Sequence, residues 1–264
     1  MNSKRRRAER KLIKMLLAVL SLVVSLIPPT LLFCYLRNLR GDDPGYRSNC
    51  GRLLRNGILC SVGVALLDFA INIAWSFSGL GESSPLLKKA FSAFVVAAFA
   101  EELVKYLTAN RVIKKNIDHV SWLDCIAYTA IVGTGFQMIE TVVYMIQSNP
   151  IQILVRGFTM GHPSYGMLMG YFIGKALYEK KRSFRADALW LPMLLHGIYN
   201  FSLADELEEI NDNLVVVPFI AVLVEAVIFI RILLLIKKER RGTKYTQPLL
   251  HREELPVETG QPEP

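Results

Sequence analysis

About seven stretches of the chain are apolar over roughly the 20 residues that a helix needs to cross a bilayer. They are residues 12–36, 57–77, 86–107, 122–146, 151–177, 186–203 and 214–236. Runs of this length leave little choice of fold: the class is all-α, a polytopic transmembrane helix bundle. Composition agrees, since 52% of the residues are hydrophobic and only 20% are charged. A soluble domain of this size carries more charge and shorter apolar runs. The fifth and sixth stretches contain Gly and Pro and are candidates for broken helices, and Pro28 and Pro29 mark a kink in the first.

The formal charge of +8 does not point to nucleic acid, because of where the bases lie. Lys4, Arg5, Arg6 and Arg7 precede the first stretch, and Arg37 and Arg40 follow it. Lys180, Lys181 and Arg182 precede the sixth, and Lys237, Lys238, Arg240 and Arg241 follow the last. Bases at segment ends anchor spans and set orientation, with anionic lipid headgroups as their partner. The basic loop 179–185 alternates with an acidic loop carrying Asp205, Glu206, Glu208, Glu209 and Asp212. That alternation puts the 179–185 loop and the C-terminus in the cytoplasm. Counting back, the loop at 37–55 is cytoplasmic and the basic N-terminus falls outside, against the rule. Either one segment is re-entrant or the later loops overrule the N-terminus. The first apolar stretch is too long for a cleaved leader and is read as a retained span.

Three regions follow: a basic flank over 1–11, a membrane domain over 12–241, and a polar, Pro-containing tail over 242–264 expected to be disordered. Cys34, Cys50, Cys60 and Cys125 form no CxxC pair and read as small structural hydrophobes. Gly166, Gly170 and Gly174 recur at four-residue spacing, a face for close helix packing.

Ionisable groups inside such segments are expensive, and they usually face the bundle interior or a wet cavity. Four places carry them. Glu101 and Glu102 are adjacent near the end of the third stretch, with Lys105 one turn on and able to reach either. Glu140 lies deep in the fourth, in Gly133-Thr134-Gly135-Phe136-Gln137-Met138-Ile139-Glu140, with no base within a turn. His162 precedes Pro163 and is placed to cap a helix that begins within the membrane. His196 begins His196-Gly197-Ile198-Tyr199-Asn200, which sets Asn200 on its face. The plainer reading of each is a salt bridge at a helix end, a hydrogen-bonded Glu, or a packed His. Several together in separate segments favour one shared functional site.

Glu and His in a low-dielectric cavity support hydrolysis in two ways. A carboxylate deprotonates water while His stabilises the oxyanion or protonates the leaving amine. Alternatively, the two His and a Glu bind a divalent ion that activates water. The helix-borne HExxH motif is absent. Ser164 lies near His162, but no GxSxG elbow supports a Ser–His dyad.

These motifs resemble the PrsW family of intramembrane proteases, which is related to the CAAX-processing membrane endopeptidases. The resemblance rests on Glu101-Glu102-x-x-Lys105, Gly-x-Gly-Phe-x-x-x-Glu140, a later His before a Gly-rich helix, and a final His-Gly-x-Tyr-Asn. It covers about residues 12–204, and the ordered set is more specific than any single motif. Thr141 stands where the family often has Asn, and the seventh segment and long basic N-terminus are variations. The resemblance implies a multi-pass cell-membrane endopeptidase that cuts a membrane-anchored protein near or within the bilayer, as in anti-sigma-factor processing. Its expected catalytic residues are Glu101, Glu102, Glu140, His162 and His196, supported by Lys105 and Asn200. The metal class of the family favours a zinc held by His162, His196 and Glu140, with Glu102 as general base. Without metal, Glu102 would activate water directly, with His196 and Asn200 donating to the oxyanion. Two other functions fit the same residues: a cation- or proton-coupled transporter, against which the lack of internal repeats argues, and an inactive scaffold, against which the intact Glu and His set argues.

Overall fold

The computed structural model describes residues 3–77, 85–147, 149–203 and 216–239. The acidic loop 205–212 and the tail 242–264 lie outside the described residues. All regular structure among the described residues is helical. Helix α1 runs Ser3–Ser25 and α2 Ile27–Arg37, followed by α3 Pro44–Phe77 and α4 Pro85–Phe91. A π-helical stretch, Ser92–Phe99, joins α4 to α5, Ala100–Lys115. Then come α6 Trp122–Gln147, α7 Pro150–Thr159, α8 Gly161–Glu179, α9 Ser183–Ser202 and α10 Val217–Glu239.

Among the described residues, each apolar stretch read from the sequence falls within one helix or consecutive helices. By length and composition, four spans suffice to cross a membrane: Glu9–Arg37, Pro44–Phe77, Trp122–Ile146 and Val217–Glu239. The other three stretches carry the Glu pair and the two His. Helix α1 begins at Ser3, within the basic flank. The break in the first stretch falls at Leu26, just before the prolines, which then occupy the first turn of α2, where a missing N–H costs nothing. The fifth stretch is broken as expected, at Met160, which takes a left-handed conformation (φ 54°) between α7 and α8. The sixth is not: α9 runs unbroken through Pro192.

Helix α6 is the hub. Of its apolar window 56% is buried, against 22%, 17% and 17% for the other three long spans. It packs chiefly on α8 and α3. The Gly166, Gly170 and Gly174 face makes the α8 contact possible: Cβ atoms there would overlap the Thr129 carbonyl, the Thr129 hydroxyl and the Trp122 ring, respectively. Gly133 of α6 likewise lies against the backbone of His162. In lipid no hydrophobic force drives helices together, so this close backbone approach carries much of the α6–α8 association. Gly170→Ala is therefore expected to cost about 1–3 kcal/mol by overpacking. It should lower the melting temperature of the detergent-solubilised protein, while Gly63→Ala, with nothing within 4 Å of its added carbon, should not. Equal melting temperatures for the two variants would contradict this account of the packing.

Candidate active site

The site is assembled from α5, α6, α8 and α9. The first turn of α5 follows directly on the π-helical stretch and turns Glu101, Glu102 and Lys105 inward, to 7%, 0% and 0% exposure. Lys105 Nζ donates to Glu102 Oε1 at 2.8 Å and to Glu101 Oε2 at 3.4 Å. These are the i,i+3 and i,i+4 contacts that the spacing predicts. The ammonium also donates to His162 Nδ1 at 2.8 Å. A lysine reaches three partners here because its whole stem is buried, with the charge 4.3 Å from the centre of the Phe136 ring.

His162 stands in the first turn of α8 and not at its cap; Met160 holds the N-cap position because the chain reverses handedness there. An ammonium only donates, so His162 Nδ1 is an acceptor and its proton sits on Nε2. Nε2 donates to Glu140 Oε2. The other oxygen of Glu140 is ion-paired with Arg156 of α7. Glu140 thus has its base after all, supplied by tertiary contact. Arg156 also lies over the Tyr144 ring, 3.6 Å from its centre. His196, on α9, approaches Glu102 Oε1 with Nδ1 at 2.9 Å. The two imidazoles lie edge to face with centroids 5.2 Å apart. Ser164 donates its hydroxyl to the Met160 carbonyl, a local helix contact, so it forms no dyad with His196.

The five residues singled out in the sequence therefore come together. One ligand atom from each of Glu101, Glu102, His162 and His196 lies within 4.8 Å of every other, and Glu140 joins the group through His162. A small cavity opens beside them, lined in part by His162, His196, Asn200, Tyr199, Arg156 and Glu225. Asn200 lines this cavity together with His196. Arg156, Tyr165 and Glu225 were not foreseen. The same cost of burying charge in apolar segments flags Arg156 and Glu225; Tyr165 carries no sequence signal.

The donor set fits a divalent ion of the zinc type, which takes His nitrogens and carboxylate oxygens. A structural observation supports the fit: Glu102 Oε2 is buried and has no hydrogen-bond partner, an expensive state for a carboxylate oxygen. Comparison with known proteins points the same way. Residues 52–230 match the model of the PrsW family of intramembrane metalloproteases. Among curated relatives, a Protease PrsW of Halalkalibacterium halodurans is 30% identical over 213 residues, spanning 77% of this chain and 92% of that protein. One from Oceanobacillus iheyensis is 29% identical over 158 residues, 58% of this chain and 68% of its own. One from Clostridioides difficile is 31% identical over 160 residues, 57% and 65% respectively. No solved structure matches the chain. With the match running through every helix that builds the Glu and His cluster, this multi-pass protein of the cell membrane belongs to the PrsW family of intramembrane metalloproteases, an endopeptidase family.

Proposed function

We propose that the chain hydrolyses a peptide bond of a membrane-anchored protein, a regulator of the anti-sigma-factor kind, at the cluster of Glu101, Glu102, His162 and His196. The observation that carries this reading is the convergence of four buried donor groups within 4.8 Å beside a polar cavity. The contacts favour a division of roles that differs from the one expected from the sequence. Glu140 sits one step out, with one oxygen on His162 Nε2–H and the other on Arg156, so it orients the imidazole. Carboxylates that fix the tautomer of a ligand His play this part at many metal sites. The ion would then be held by His162, His196 and Glu102, two His and one carboxylate. When bound, a divalent ion of this type acidifies a coordinated water and polarises the scissile carbonyl.

The chain's own residues do the rest. Glu101 is the less committed of the paired carboxylates, with Lys105 at 3.4 Å as its nearest partner, and it is the candidate to take the proton from water. Lys105 holds the two carboxylates together and keeps a proton off His162 Nδ1. Asn200, on the wall of the cavity, is placed to donate to the oxyanion. The surrounding helices exclude bulk water, which strengthens each of these interactions.

The reading is tested with the protein reconstituted in vesicles beside a single-span protein substrate. Cleavage is expected within the span or a few residues from it, located by mass spectrometry of the products. A soluble peptide of the same sequence without the span should survive. Equal cleavage of that soluble peptide would defeat the membrane-substrate reading. Proton or cation flux across the vesicles with no hydrolysis would favour the transporter.

A further inference from the structure

We infer that Glu225, from the last helix, is a positioning residue for this site: it holds the Tyr165 ring flat against His196. The inference rests on the placement of the site at the Glu and His cluster. Tyr165, 2% exposed, lies one turn beyond His162 on α8. Its ring stacks on the His196 imidazole, with centroids 5.0 Å apart and planes 17° from parallel. It also meets His162 edge-on at 6.3 Å. One aromatic ring therefore touches both imidazoles and fixes the plane of one. A phenol buried this deeply needs a partner for its hydroxyl, and it donates to Glu225 Oε1.

Glu225 is itself 2% exposed, in the middle of a helix apolar enough to cross a membrane. Its second oxygen packs on the start of α8, where a carbon added to Gly161 would lie 3.3 Å from Oε2. A carboxylate at a helix N-terminus faces backbone N–H groups that have no partner in the helix. Glu225 thus ties α10 to α8 through the Tyr165 hydroxyl, with its second oxygen beside the first turn that carries His162. A glutamine or serine would satisfy a single hydroxyl at far lower cost than a buried carboxylate. The Glu225 carboxyl meets the ring hydroxyl with one oxygen and faces the start of the helix that carries His162 with the other. The direction of the His196 nitrogens, and hence the approach of Nδ1 to Glu102 at 2.9 Å, depends on that ring staying in place.

The test uses the full chain in detergent or nanodiscs, with isotopically labelled histidine. The stacked Tyr165 ring shields the His196 ring protons, whose signal is assigned with His196→Asn. Tyr165→Leu should abolish that shielding, Glu225→Ala should largely remove it, and the isosteric Glu225→Gln should keep most of it. In cleavage assays Glu225→Ala should lower kcat about tenfold with KM within about twofold, as expected for lost orientation. In a Tyr165→Leu background it should have little further effect, because the residue it acts through is gone. An unchanged His196 signal in Glu225→Ala, or effects of the two substitutions that multiply, would overturn the inference. Failure of the site itself is told apart by Glu102→Gln: if that variant still cleaves substrate, the hydrolytic site is misplaced, whereas the histidine signal continues to report whether Glu225 holds Tyr165.

Discussion

Glu101→Gln is expected to reduce kcat by roughly 10²- to 10⁴-fold, the usual cost of losing a general base, while leaving bound metal in place. Glu102→Gln should reduce it at least as far and should lose the metal as well. The difference follows from geometry. Glu102 is fully buried, shares Oε1 between Lys105 and His196, and has a second oxygen with no protein partner. Glu101 has looser contacts, at 3.4 Å to Lys105 and 3.7 Å to His162 Nδ1. Lys105→Met should behave differently from both. Removing one partner of a buried ion pair leaves the other charge uncompensated, which costs about 3–5 kcal/mol of stability. Its main effect should therefore be a lower melting temperature, with turnover per folded molecule reduced much less than in Glu102→Gln. Should Lys105→Met alone abolish turnover in folded protein while Glu102→Gln left it intact, the roles of lysine and carboxylate would have to be exchanged.

The parts of this site that were legible in the sequence are those governed by local spacing or by rarity. Glu101, Glu102 and Lys105 could be joined because i,i+3 and i,i+4 neighbours share a helix face. His162, His196 and Glu140 stood out because polar groups in apolar runs need a reason. The glycine ladder of α8 announced a close helix contact, and it meets α6. Tertiary partners were not legible. Arg156 lies in a stretch whose apolar average hid it, and nothing local says that α7 folds back to set it on Glu140. Glu225 obeyed the same rule of rarity as Glu140 but had no motif around it, so only the packing of α10 on α8 reveals its use. The π-helical turn before the Glu pair also has no sequence signature, since its residues, Ser92–Phe99, are ordinary helix formers and apolar fillers. Orientation of the His162 ring is likewise tertiary: which nitrogen faces the cluster is decided by Lys105 on one side and Glu140 on the other.

Removal of metal should have the largest effect of all. Exhaustive chelation of the purified protein is expected to abolish cleavage, and added zinc to restore it, because the donor set of two His and one carboxylate is one that catalytic zinc sites use. His162→Ala should lose the ion by direct loss of a ligand. Glu140→Gln should weaken it by about 10- to 100-fold, the usual cost of losing the partner that orients a ligand His. That last value separates the two ligand sets. If Glu140 were itself a ligand, as the sequence alone led us to expect, Glu140→Gln would empty the site as completely as His162→Ala does. The opposing consideration lies in Lys105. Its ammonium donates to Glu102 Oε1 and His162 Nδ1 at 2.8 Å each, so these donors already face a positive charge. An ion must compete with that lysine for them, and Lys105→Met should therefore raise zinc affinity even as it lowers stability. Full activity after exhaustive chelation, with no metal found by elemental analysis, would mean that the lysine, and not a metal ion, is the cation that faces Glu102 and His162. Glu102 would then activate water directly, with His196 and Asn200 donating to the oxyanion.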